Sequence, residues 1–167
     1  MLQIYAILDA GVYNTFEKLL PQSITDKSRE KFGHLHYAKH GVSYMSVFVG
    51  LKGDTKTLNL PSSNLWGFVS NNLSQDVEEY LSMTAAEAAN NVPMLFVSFP
   101  SAKDTSWEER FPGKSACVIV TLANYEWFEQ WEEERVMHRG EDYNSLKQQF
   151  GKNIWEKVRF SVILITN

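Results

Sequence analysis

Four groups of residues in this 167-residue chain have types and spacings that invite chemistry. His34, His36 and His40 form H-x-H-x3-H. On a helix, His36 and His40 would face the same way at i and i+4, as metal ligands do. No cysteine pair or fourth ligand lies near them in sequence, and the stretch is polar, so a solvated surface segment is the stronger reading and no metal is assigned. Cys117 is the lone cysteine. A nucleophilic thiol needs a base and an electropositive, partly exposed setting. Cys117 instead sits inside an apolar run, where cysteine ordinarily serves as a small buried hydrophobe. Ser98, Ser101 and Ser106 surround a loop, but no G-x-S-x-G elbow is present to support a hydrolase triad. Trp107, Trp127 and Trp131 fit either core packing or the wall of a pocket for an apolar ligand.

These side chains must be held by a framework, and its centre is Pro93 to Leu122. Met94 to Phe99 and Ala116 to Leu122 are short, β-branched or aromatic runs bounded by Pro100 and by Pro112-Gly113, so both are expected to be strands. Their near-continuous apolar character predicts strands covered on both faces, in the middle of a sheet. Further strands are expected at Ile4 to Leu8, Tyr44 to Leu51 and Asn64 to Val69. Val12, Phe16, Leu19 and Leu20 recur at helical spacing until Pro21 stops them. Ser74 to Met83 predicts an amphipathic helix with Val77, Tyr80 and Leu81 on one face. Thr84 to Glu87 and Ser106 to Glu109 each have capping-box spacing. Asn124 is placed to cap a helix carrying Trp127, Phe128 and Trp131 on one side, and the acidic run Glu132 to Glu134 reads as a solvated helix face. A second helix from Glu141 buries Tyr143, Leu146, Phe150 and Ile154. Periodicity does not decide Val158 to Ile165, which fits a last strand or a divergent end. The pattern is α+β, with a mostly antiparallel sheet and flanking helices.

Composition bounds the functions. At 44% hydrophobic and 13% aromatic the chain can build a real core. A formal net charge of -4 without a basic stripe argues against nucleic acid as the main partner. One cysteine forms no internal disulfide. No stretch approaches the roughly 20 apolar residues needed to span a bilayer, and the N-terminus does not read as a secretory signal. The turn Asp9-Ala10-Gly11 between a strand and a helix has the shape of a nucleotide-binding crossover, yet no G-x-G-x-x-G occurs anywhere in the sequence.

A family resemblance is carried by long, unusual motifs. They are Phe99-Pro100-Ser101-Ala102-Lys103-Asp104, Trp107-Glu108 and Arg110-Phe111-Pro112-Gly113-Lys114-Ser115. Tyr125 to Trp131, Ser46 to Gly53 and Asn14 to Pro21 add to them. Together they resemble the retinol saturases among the phytoene desaturase-like flavoproteins, over most of the chain. The resemblance implies the substrate domain of a flavin amine oxidase-like fold. Residues 1-21 would be a remnant of the FAD-binding domain, 22-157 the substrate domain and 158-167 a divergent tail. It implies an FAD-dependent reduction of the 13,14 C=C bond of all-trans-retinol, with NAD or NADP as alternative cofactors, at the endoplasmic reticulum membrane. Asp9, Ala10 and Gly11 would approach the flavin, with Asp9 standing where the family pattern has Asn. Trp66, Phe96, Phe99, Trp107 and Trp127 would wall an isoprenoid channel. The family's amino-terminal glycine motif and its glycine-rich carboxy-terminal flavin segment have no counterpart here, so the resemblance places the flavin cradle outside this sequence. A second function, from a different class, is a non-catalytic binding or regulatory module that holds a retinoid, another isoprenoid or a partner through the same apolar surface.

Overall fold

The computed structural model describes residues 10–26 and 41–165, with side chains through residue 159. The chain divides into two compact units, Met1–His40 and Gly41–Asn167. Asp9, the expected strand at Ile4 to Leu8, and His34, His36 and His40 lie outside the described residues.

In the first unit, Gly11 takes a positive φ of 75°, a conformation that glycine adopts without a Cβ penalty. It leads into one α-turn, Val12–Asn14, and a π-helical turn, Thr15–Leu19. Leu20 is already extended, as a residue before proline should be, so Pro21 ends the helix where the sequence predicts.

The second unit is built on four strands: β1 (Ser43–Lys52), β2 (Leu65–Phe68), β3 (Met94–Ser98) and β4 (Lys114–Ala123). Their spatial order is β1-β4-β3-β2 and every pairing is antiparallel. The two strongest apolar runs, β3 and β4, therefore occupy the centre. The register sorts side chains onto two faces with period two. One face carries Met45, Val47, Val49 and Leu51 of β1 across from Thr121, Ile119, Cys117 and Ser115 of β4, and then Leu95 and Val97 of β3. The other carries Tyr44, Ser46 and Phe48, then Leu122, Val120 and Val118, then Met94, Phe96 and Ser98, then Phe68 and Trp66.

Helices cover the first face. α1 (Leu73–Ser82) buries Tyr80, half-buries Val77 and Leu81, and turns Glu78 and Glu79 outward. The one-turn α2 (Ala85–Ala88) is opened by the expected capping box: the Glu87 N–H donates to the Thr84 hydroxyl while the Thr84 N–H donates to Glu87 at 3.0 Å. The long α4 (Gly140–Ile165) lays Phe150, Ile154 and Val158 on the core. Polar groups at buried and half-buried positions are tied off across the layers, as low-dielectric surroundings demand. The Tyr80 hydroxyl donates to the Leu122 carbonyl at 3.1 Å, Asn153 donates to the Ala89 carbonyl at 2.9 Å, and the Lys157 ammonium donates to the Val92 carbonyl at 3.0 Å.

Three expectations change. The segment after Asn124 is not an α-helix but two 3-10 turns, Tyr125–Trp127 and Glu129–Trp131. The indole N–H of Trp127 is pinned to the Met83 carbonyl at 2.9 Å, while Phe128 and Trp131 both contact Tyr143 of α4. Adjacent aromatics that must both point inward are served by a tighter turn than the α-helix. The turn α3 (Trp107–Arg110) lacks the predicted Ser106 cap: Asp104 instead accepts both the Ser106 N–H and its hydroxyl, at 2.9 and 2.8 Å. The tail from Val158 is not a strand; it continues α4 to Ile165, because Val158 extends the Phe150–Ile154 stripe by one more i+4 step.

The expectation of two covered faces holds on one side of β3 and β4 only: on the other, Met94, Phe96, Val118, Val120 and Leu122 are half-buried, and exposure is greatest on the flanking strands β1 and β2. Among the described residues, no helix packs over the Tyr44–Trp66 side. Tyr44 is 71% exposed, Phe48 77%, Trp66 57% and Phe68 50%.

Candidate functional site

That open face is the most conspicuous feature of the unit. Side chains on it form a lattice set by the register: Tyr44, Leu122, Met94 and Phe68 in one row, Ser46, Val120, Phe96 and Trp66 in the next, then Phe48, Val118 and Ser98. Rows are two residues apart and strands lie about 4.8 Å apart, so the surface is a nearly continuous apolar sheet. Only Ser46 and Ser98 interrupt it. Trp66 leans edge-on against Phe96, with ring centroids 4.9 Å apart, and stacks parallel to Phe68 at 6.3 Å. A groove of about 520 Å3 runs over this surface, lined by Tyr44, Trp66, Met94, Phe96, Val120 and Leu122. That volume falls within the range of small-molecule sites, about 300–1,000 Å3. An exposed apolar patch of this kind marks a surface meant to be covered.

The proposed channel residues do not lie together. Trp66 and Phe96 touch on the open face. Phe99 is buried on the helix side, beside a hollow of about 200 Å3 lined by Leu51, Leu60 and Trp155. Trp127 is buried in the same core between Tyr80, edge-on at 5.1 Å, and Phe150, stacked at 5.8 Å. Trp107 is half-buried in the loop between β3 and β4, where its indole N–H donates to the Lys114 carbonyl at 2.8 Å and its ring contacts Phe111. Tyr44, Phe48, Phe68, Val120 and Leu122 share the face with Trp66, and the sequence did not mark them as site residues. The strict alternation of Tyr44-x-Ser46-x-Phe48 against Met45-x-Val47-x-Val49 was the available signal.

The loop carrying Trp107 is a knot of short polar contacts. Ser101, buried, accepts the Ala116 N–H at 3.2 Å. The Ser106 hydrogen bonds hold the Asp104 carboxyl below the usual carboxylate range, and the paired Arg110 guanidinium adds to that. Arg110 also lies over the Phe111 ring at 5.1 Å. Cys117 is buried, and burial pushes its thiol up to about 11, which suits packing and not nucleophilic work.

Ala10 and Gly11 form one turn before a short helix, with the Thr15 N–H returning to the Gly11 carbonyl at 3.0 Å. The sequence holds no glycine-rich loop to cradle a pyrophosphate, so these residues do not build a dinucleotide site by themselves. Among the described residues no helix is long and apolar enough to cross a membrane.

Fold and groove together define an α+β unit with one exposed, apolar sheet face. Comparison with known proteins is more specific. The chain is 42% identical over 153 residues to an all-trans-retinol 13,14-reductase of Danio rerio, a match covering 91% of this chain and 25% of that protein. The Homo sapiens protein of the same name is 40% identical over 144 residues, 86% of this chain and 23% of its own length. A Danio rerio protein named inactive all-trans-retinol 13,14-reductase is 39% identical over 157 residues, 92% of this chain and 26% of that protein. The retinol saturase resemblance is thereby borne out: over nearly its whole length the chain is homologous to a stretch of the all-trans-retinol 13,14-reductases. It spans about a quarter of the length of these relatives. No protein-family profile and no solved structure matches the chain.

Proposed function

We propose that this chain supplies the polyene-binding wall of an FAD-dependent oxidoreductase that reduces the 13,14 C=C bond of all-trans-retinol. The observation that supports it is the open sheet face, whose aromatic and aliphatic groove matches a flat, apolar, rod-like ligand in chemistry and size. The homologues' name supplies the substrate. In this reading the flavin, or a nicotinamide nucleotide, provides the hydride when bound. The Ala10-Gly11 turn and sequence beyond this chain would hold it. The chain's own share is to bind, to orient and to exclude water. Trp66 and Phe96 stack on the conjugated chain, while Val120, Leu122 and Met94 floor the groove. No side chain here is assigned as the proton donor. Association with the endoplasmic reticulum membrane belongs to the same proposal, through the full-length protein.

A retinoid-binding module without redox chemistry is the second reading, favoured by a relative that is itself named inactive. Titrating the purified chain with all-trans-retinol while following tryptophan fluorescence tests the shared claim. Saturable quenching that weakens in Trp66→Ala supports the wall; no quenching overturns it. Reduction of all-trans-retinol by the full-length, flavin-loaded protein that is lost in Trp66→Ala favours the enzyme reading; flavin-loaded protein that binds retinol without reducing it favours the binder.

A further inference from the structure

The open face has one polar end. Lys103 leaves the 3-10 turn Pro100–Ala102 and brings its ammonium back over the sheet, where it donates to the Ser98 hydroxyl at 2.9 Å and to the Asn64 side-chain carbonyl. Ser98 is the last residue of β3 on the open face, two residues beyond Phe96 and four beyond Met94. Asn64 precedes Leu65, the first residue of β2. At about 3.4 Å per residue, the line from Met94 to Ser98 is roughly 14 Å of apolar surface ending at a fixed cation.

The position of Lys103 is fixed from both sides. Ser101 is buried and bonded to the β4 backbone, and Asp104 is tied to Ser106 and Arg110. The donors are not used up. An ammonium has three N–H groups, and the two acceptors account for two of them. The Ser98 hydroxyl accepts from Lys103 and makes no other hydrogen bond among the described residues, so its own proton is left to donate. Two spare donors on the same face, one row beyond the apolar groove, are complementary to a ligand oxygen.

We propose that Lys103, Ser98 and Asn64 form a head site that receives the terminal oxygen of a polyene alcohol, or of the corresponding acid, lying along β3 over Phe96. This rests on the polyene-wall reading above and adds the ligand's direction. The oxygenated end points toward the β3–β4 loop, and the ring end toward Tyr44, Leu122 and Phe68. A charged acceptor gains more from an ammonium than a neutral one, so the acid benefits more than the alcohol.

The test compares three ligands on the full chain by fluorescence titration: all-trans-retinol, all-trans-retinoate, and the hydrocarbon with a methyl group in place of the alcohol. Lys103→Met keeps the stem and removes the charge. The head site predicts hydrocarbon affinity unchanged, retinol weakened by roughly three- to tenfold and retinoate by about tenfold or more. Lys103→Arg should restore most of the loss. If Lys103→Met leaves all three affinities alone, or weakens the hydrocarbon as much as the others, the head site is wrong while the apolar wall stands. If the unaltered chain binds none of the three, the wall itself is wrong and the head site falls with it. Far-UV circular dichroism of each variant identifies any loss that comes from unfolding.

Discussion

Two phenylalanines on opposite faces of one sheet give the sharpest test of the layer assignment, because the substitution is the same. Phe150 of α4 is 0% exposed, stacked near Trp127 at 5.8 Å and tilted against Phe128 at 6.4 Å. Removing it to alanine leaves a cavity under the sheet and takes away two ring contacts. Such changes cost about 3–5 kcal/mol. For a domain of this size each kcal/mol lowers the melting temperature by about 2–4 °C, so Phe150→Ala should fall by roughly 6–20 °C. Phe48 of β1 is 77% exposed, so only about a quarter of its surface is covered. At about 25 cal/mol per Å2 that part is worth at most about 1 kcal/mol. Phe48→Ala should therefore shift the melting temperature by no more than about 4 °C. Thermal denaturation followed by tryptophan fluorescence measures both. Equal losses for the two variants would mean that the Phe48 side is a second core, and the open-face account would be refuted.

Two further outcomes follow from local chemistry. Cys117 is buried with its thiol raised to about 11, so alkylation by iodoacetamide at pH 8 should be negligible in the folded chain and rapid in urea; labelling of native protein at the rate of a free thiol would contradict the burial. Thr84 holds the Glu87 carboxyl below its ordinary range, so this pair's stabilisation is complete above the usual carboxylate pKa and fades as pH falls through the depressed folded value. Thr84→Ala should lower stability at pH 7, cost less near pH 3, and flatten the acid limb between. A variant equally destabilised at both pH values would show that the capping box is not its cause.

The sheet was legible because its strands alternate or run apolar over lengths that helices do not use. Tyr44 to Leu51, Met94 to Phe99 and Ala116 to Leu122 are all recovered as strands within a residue or two. What covers each face was not legible. Val118, Val120 and Phe96 are as apolar as Ile119 and Val97, and a single sequence cannot say whether their cover comes from α4 or from something outside the chain. The 3-10 turns after Asn124 escaped for a different reason. Tyr125 to Arg135 is rich in helix formers, but the contacts of Trp127 with Met83 and of Phe128 with Tyr143 are long-range and override that propensity. Of the candidate site, Trp66 and Phe96 were found as aromatics, whereas Phe99 and Trp127 look the same in sequence and lie in the core. Composition marks an aromatic; only the register says which way it points. Lys103 stood in a family motif without a role until the fold placed its ammonium against Ser98 on the open face.

Photolabelling tests the central claim most directly. A photoreactive analogue of all-trans-retinol, irradiated with the chain and mapped by mass spectrometry, should mark peptides from the Tyr44–Phe48, Leu65–Phe68 and Met94–Ser98 stretches. Excess retinol should compete that labelling away. Labelling confined to α1 or α4, or unaffected by competitor, would contradict the assignment of the open sheet face as the polyene wall.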